Sequence, residues 1–263
     1  MGVHREYAAP RYRRYLVIIT ACFAIAVAAG ADSRVDTHTV CLLTFDEGSG
    51  ATAKDSSGNE NHGELRGAEW DAGRDGQGVV LEEGDSVVMP LSDTLDLTET
   101  LTVEAWVRPA QVAVRSDPIC KHEGGGYALL ILDGGIVSAS FHIAGNYVAA
   151  NAVTPLEEDT WHYIAGTYDG ATLMVYVDGE LEGETKVAGD VTSTNAADTP
   201  LVLGGNPGAG GDISSNFYSG TSDELLVSDV ARTADEIRAA MNPTKAVHAR
   251  GKLAVTWARI RSR

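Results

Sequence analysis

Catalytic signatures are missing from this chain. No G-x-S-x-G, H-E-x-x-H, phosphate-loop or dinucleotide-fold pattern occurs along its 263 residues. That removes the commonest routes to nucleophilic, metal-assisted and nucleotide-dependent chemistry. The stretch GGNPGAGGD, Gly204 to Asp212, is rich in glycine, but no Lys-Ser/Thr follows it and no helix pattern begins there. It reads as a mobile loop, not a phosphate cradle. Positive charge is scarce too: 20 Lys and Arg stand against 37 Asp and Glu, for a net charge of −17. The cations also crowd to the two ends. Arg5, Arg11, Arg13 and Arg14 precede Leu16, and Thr244 to Arg263 carries six cations and no acid. The stretch between is therefore more acidic than the whole, and such a body repels phosphate backbones, so nucleic acid is excluded as a partner. Cysteine is nearly absent. Of three, Cys22 sits in the leading segment, which leaves Cys41 and Cys120. An exported chain could close these two into one disulfide, or keep them as two buried thiols.

What is present at the start is an address. RYRRYLVIITACFAIAVAAGADS gives a basic region, an apolar run from Leu16 to about Ala29, and small residues after it. Ala29-Gly30-Ala31 fits a cleavage site, so residues 1–31 read as a signal peptide with Asp32 as the new first residue. The run is shorter than the roughly 20 residues that span a bilayer. Ile19-Thr20-Ala21-Cys22 also resembles a lipoprotein box, the alternative in which Cys22 anchors the chain. Residues 32–39 form a polar leader.

From residue 40 the pattern is short apolar runs broken by Gly, Asp, Asn and Pro. In LTVEAWVRP, Val103, Ala105 and Val107 oppose Thr102, Glu104, Trp106 and Arg108. In VSASFHI, Val137, Ala139, Phe141 and Ile143 oppose Ser138, Ser140 and His142. Each strand thus has one buried face and one wetter face. Asp169-Gly170 and Asp178-Gly179 suit tight hairpins, where glycine supplies the positive φ. One helix is predicted: TADEIRAAM opens on Thr233 with Glu236 three residues on, a capping box. The expected class is all-β, two packed antiparallel sheets with one short C-terminal helix.

Several motifs occur in a characteristic order: LTFDEGSGATAKDSSGNENHGEL, GQGVVLEEGDSVVMP, LTVEAWVRP, WHYIAGTYDGATLMVYVDGELEG and FYSGTSDELLVSDVARTADEI. In this order they resemble the laminin-G-like, concanavalin A-like jelly-roll domain of exported bacterial proteins, over residues 40–241. The resemblance implies a two-sheet jelly-roll sandwich used for binding or adhesion, often to glycans and often with calcium. Residues 242–263 then form a basic tail outside the domain. Leu253, Trp257 and Ile260 there recur at helical spacing, so the tail could contact an anionic envelope surface or simply be solvated.

Candidate chemistry follows from residue types. A retaining glycosidase needs two carboxyls about 5 Å apart. The face of LTVEAWVRP that holds Glu104 offers no second acid, and the run Asp178, Glu180, Glu182, Glu184 reads as a solvated acidic edge. For metal, Asp46 and Asp55 lie among glycines and serines, and hard oxygens on such a loop suit calcium. The plainer alternative is that Asp55 holds an Asx-type turn. The resemblance implies that Asp223 lies near the first loop and joins this set. His62 lacks a partner at zinc-ligand spacing and reads as a hydrogen-bonded turn residue. For carbohydrate, the wetter strand faces offer Glu104, Trp106 and His142, and the loops offer Tyr127, Asn146, Tyr147, Asn206 and Phe217. Each aromatic has packing as its structural alternative. The leading expectation is a secreted or envelope-associated, non-catalytic binding module. Its carbohydrate residues would be Glu104, Trp106, His142 and Tyr147, its metal residues Asp46, Asp55 and Asp223, and its partner a glycan or a cell-surface protein. A structural domain of an envelope assembly is the alternative, and a glycoside hydrolase comes third.

Overall fold

The computed structural model describes residues 32–122, 124–192, 199–208 and 211–243. The segment read as an export signal, with Cys22, and the part of the expected basic tail from residue 244 onward lie outside these residues. Chain order begins with β1 (Thr39–Leu43), β2 (Thr52–Ala53), β3 (Gly63–Arg66), β4 (Glu69–Ala72), β5 (Gln77–Leu81) and β6 (Ser86–Met89). A short 3-10 turn, Asp93–Leu95, leads to β7 (Leu101–Pro109), β8 (Ser116–Lys121), β9 (Tyr127–Leu132), β10 (Ile136–Ile143) and β11 (Asn146–Pro155). Next come β12 (His162–Tyr168), β13 (Thr172–Val177), β14 (Glu180–Lys186) and β15 (Leu201–Leu203). The last strands are β16 (Asn206–Pro207), β17 (Ile213–Ser215) and β18 (Gly220–Ser228), followed by α1 (Ala234–Ala240).

Two eight-stranded sheets hold nearly all of this. The first runs β14-β13-β12-β7-β18-β5-β4, with β1 also on β18; the second runs β11-β10-β9-β8-β15-β6-β3-β2. The named strands pair antiparallel throughout. This is the jelly-roll sandwich expected. The period-two alternation builds the core: Val103, Ala105 and Val107 of β7 meet Val137, Ala139, Phe141 and Ile143 of β10 in one cluster between the sheets. Gly166 on β12 keeps this packing close, since a Cβ there would press on Ala139 and Leu129 at 3.0 Å.

The two Asp-Gly turns differ. Between β13 and β14, Asp178 and Gly179 both take positive φ, +51° and +82°, the pattern of a two-residue mirror-image turn. Between β12 and β13 only Gly170 does, and the Asp169 carboxylate accepts from the Ala171 and Thr172 N–H groups instead. On β14, Glu182 accepts from the Val153 and Thr154 N–H groups and the Thr154 hydroxyl, so it closes the edge of β11. Helix α1 carries the predicted capping box: Glu236 N–H donates to Thr233 Oγ1, and Thr233 N–H donates to Glu236 Oε2.

Part of the stretch read as a loop at Gly204–Asp212 is paired instead. It supplies β16, and β17 follows at once as its antiparallel partner. The hairpin lies against the outside of the second sheet, where Asn206 accepts from the Cys120 thiol at 3.7 Å and Gly211 abuts Val88. Cys41 and Cys120 carry no disulfide. Cys41 sits in the core between the sheets, whereas Cys120 belongs to a small cluster with Ala128 and Leu130 on the far side of the second sheet. Strand alternation sends the two side chains to different compartments, which corrects the expectation that they might pair.

Candidate functional site

The four carbohydrate candidates split between opposite sides of the sandwich. Glu104 and Trp106 sit on β7 in the first sheet and point away from the core, as the alternation predicts. They are not wet: Trp106 is 6% exposed and Glu104 1%. Helix α1 covers this face with Ile237 and Ala240, which cluster with Trp106, Tyr163, Tyr176, Leu42 and Leu226. Tyr163 meets Trp106 edge-on at 5.2 Å between ring centroids, and the Arg74 guanidinium lies 4.7 Å above the indole. The segment before β1 covers the rest. Arg34 is buried there and forms an ion pair with Glu224, while Asp36 accepts two hydrogen bonds from Arg232, 2.7 and 2.8 Å. Arg232 thereby holds the Asp36 carboxyl well below its ordinary range.

Glu104 is the unusual group on that face. Burial pushes its carboxyl up to about 8, against a hydrogen bond from Tyr163 and the charges of Arg232 and Arg34. Its Oε2 has no hydrogen-bond partner among the described residues. A second acid does reach this face. A bulge in β18 between Asp223 and Leu226 places Glu224 at φ +57°, a strained position for a non-glycine residue. Sequence spacing could not show this, because the acid comes from a neighbouring strand. Both acids lie beneath the covering segment, and Glu224 is engaged by Arg34. Neither Glu104 nor Trp106 is available for stacking on a sugar, which corrects their assignment as carbohydrate ligands.

The outer face of the second sheet is where polar and aromatic groups stay reachable. On β10, Ser140 and His142 face outward between the inward Ala139, Phe141 and Ile143. Tyr147 on β11 is the register partner of His142. Its ring lies 4.7 Å from His142 and 4.4 Å from His122, and its hydroxyl donates to the His122 carbonyl at 3.0 Å. Tyr147 remains 55% exposed. His142 is fixed by Thr192, whose carbonyl and hydroxyl both lie 2.9 Å from Nδ1. His122 Nε2 is 3.3 Å from the Ser140 hydroxyl. Burial, then the charges of Arg115 and His142, lower the His122 pKa to about 4, so the ring is neutral at ordinary pH. Arg115 binds the buried Asp117 through two hydrogen bonds, and Asn216 adds a third at 3.0 Å. The result is a rigid platform: one exposed phenol braced by two imidazoles, with a hydroxyl beside them.

Sequence reasoning found His142 and Tyr147 and missed His122. The signal was slight, since His122 lies one residue beyond the end of β8 at Lys121, two after the outward Cys120. Of the loop candidates, Tyr127 is core, with its hydroxyl donating to the Leu95 carbonyl. Asn146 bonds Ala144 beside it, and Asn206 reaches Cys120. Phe217 is half-buried.

The three metal candidates do not gather as one set. Among the described residues no group of three or more His, Cys, Asp or Glu could hold a metal ion. Asp55 accepts from Leu42, Ser57 and Asn61 N–H groups and the Ser57 hydroxyl, so it holds the turn after β1. Its own N–H donates to His62 Nδ1 at 2.9 Å, which makes His62 a turn residue. Asp46 and Asp223 do meet a common element, the β4–β5 turn. Asp223 Oδ2 accepts from Arg74 and Asp75 N–H groups, and Asp46 Oδ1 from Gln77 N–H. Gly73 and Gly76 line this cradle, and a Cβ on either would overlap one of the two carboxylates. The turn therefore brings two carboxylates and three backbone N–H groups together, without Asp55.

Two packed antiparallel sheets in a jelly roll are the architecture of a concanavalin A-like domain. The chain belongs to the concanavalin A-like lectin/glucanases superfamily, whose profile matches residues 81–238. No curated protein sequence matches it. Among solved structures it is similar to domain 4 of an extracellular arabinanase from Geobacillus stearothermophilus, solved in complex with arabinotriose. That likeness has 18% identity and a TM-score of 0.63, over 77% of this chain and 98% of that one. It is also similar to the binding domain of Paraclostridial Mosquitocidal Protein 1, at 16% identity and a TM-score of 0.62. The botulinum neurotoxin serotype C1 binding domain follows at 11% and 0.58. For both toxins the match covers 78% of this chain and 52% of the other, about half of each toxin domain. At these identities the likeness concerns the fold. No helix among the described residues is long and apolar enough to cross a membrane.

Proposed function

We propose that this chain is an exported, non-catalytic binding module that holds a glycan on the outer face of its second sheet. The observation that carries this is Tyr147: an aromatic side chain more than half exposed, pinned by His122 and His142. A phenol held rigid loses little entropy on binding and offers a flat apolar surface to a sugar ring. Ser140, His122 and His142 supply hydrogen-bonding groups around it. The complex of the arabinanase domain with arabinotriose supports the same use of this fold. The two acids of the first sheet support no catalytic reading, since both are buried and Glu224 is engaged by Arg34. A glycan array probed with the full chain should give binding that Tyr147→Ala or His142→Ala abolishes. An array blank for wild type, or one unchanged by Tyr147→Ala, would refute the face.

Calcium enters this reading through Asp46, Asp223 and the backbone of the β4–β5 turn. Bound only by the folded state, it would stabilise by about 2.7 kcal/mol at a hundredfold excess over Kd. Millimolar calcium should then raise the melting temperature, and Asp46→Asn should remove the rise. Asp55→Ala should lower stability equally in calcium and in chelator. Equal melting of wild type in both conditions would eliminate the metal.

A further inference from the structure

A second feature lies at the rim beside the platform. A cavity of about 350 Å³ opens between the 3-10 turn, the β8–β9 connection and the segment Asp190–Thr192. That is the low end of the range for small-ligand pockets, which suits one or two rings but not a chain. Leu95, the buried Tyr127, Leu97 and Val191 give it an apolar lining. Thr98, Thr192 and Thr199 line the remainder. Thr192 is also the residue that fixes His142, so cavity and platform share a border.

The charges in this cavity are unequal. Lys121 is buried, with its ammonium 2.8 Å from Asp96 and 2.6 Å from the Thr199 carbonyl. A buried ammonium keeps its charge only when paired, and Asp96 supplies that pairing. Asp190 is the second carboxylate, exposed at the cavity mouth. No cation is paired with Asp190 among the described residues. Among the described residues the lining thus carries one more negative charge than positive, in a chain that is already strongly acidic. Anionic ligands such as phosphate or uronate are repelled.

We infer that this cavity receives a terminal sugar ring bearing a free ammonium group. The C–H face of the ring packs on Leu97 and Val191, the threonine hydroxyls bond its hydroxyls, and Asp190 pairs with the ammonium. The inference deepens the glycan reading of the neighbouring face and rests on it for the class of ligand. Titration of the full chain with glucosamine, N-acetylglucosamine and glucose at about pH 6, where an amine is protonated, tests it. Glucosamine should bind roughly fivefold more tightly than the other two, the size of a partly exposed ion pair. Asp190→Asn should erase that preference, and Thr98→Val should weaken all three sugars. Equal affinity for the three sugars, no binding of any, or a preference that survives Asp190→Asn would overturn the cavity assignment. Loss of array binding in Tyr147→Ala would still uphold the platform in each of those cases, so the two readings fail separately.

Discussion

The outer faces of the two sheets start from the same pattern and end differently. β7 and β10 both alternate apolar residues inward with polar or aromatic residues outward. On β7 the outward residues Glu104 and Trp106 are buried by helix α1 and the segment before β1. On the second sheet, Tyr147 beside His142 still meets solvent. The difference teaches that alternation separates the two sides of a strand but does not say which side is wet. That depends on what the rest of the chain lays over it. One face became a second small core, and the other stays open to solvent.

The largest expected effect breaks the covered face. Trp106→Ala removes a buried indole and should cost about 3–5 kcal/mol in denaturant unfolding. Glycan binding by the remaining folded protein should be unchanged; its loss would mean that Trp106 reaches the ligand.

Glu104 sharpens the same contrast through pH. Its carboxyl is raised to about 8 from 4.5 in the folded state. Between those values the native protein holds a proton that the unfolded chain has released. Stability therefore falls as pH rises through that window, by up to ~1.4 kcal/mol per pH unit for one group. Below it both states are protonated, and above it both are ionised. Glu104→Gln should flatten this slope and raise stability above pH 8. An unchanged slope in unfolding series from pH 4.5 to 8 would place the proton elsewhere.

Gly179→Val acts at the border of the covered face. Its φ is +82°, and a Cβ would meet Arg238 Cγ at 2.8 Å and Met241 Sδ at 3.0 Å. Strain and displacement of α1 together should lower stability by roughly 1–3 kcal/mol. A melting midpoint equal to wild type would show that α1 is not held there.

Tyr147→Ala should give the smallest stability change, within about 0.5 kcal/mol, because the ring is largely exposed. It should nonetheless abolish binding. A stability loss as large as that of Trp106→Ala would make the two faces alike and remove the basis of the comparison.

Local features were legible before the fold was known. The alternation in LTVEAWVRP and VSASFHI, the capping box of Thr233 and Glu236, and the turn at Asp178-Gly179 all depend on neighbours within a few residues, and each appears as read. The Asx-turn alternative for Asp55 was readable for the same reason, as three of its four donors come from Ser57 and Asn61 just downstream. Only the tertiary structure decided the rest. Cys41 and Cys120 were separated by the sheets they joined, and Glu224 was brought beside Glu104's face by a bulge in a distant strand. His122, His142 and Tyr147 became one platform because β8, β10 and β11 are ordered side by side around β9. Contacts of this kind form between segments far apart along the chain, and they follow from strand order and covering elements, neither of which a local pattern of residues encodes.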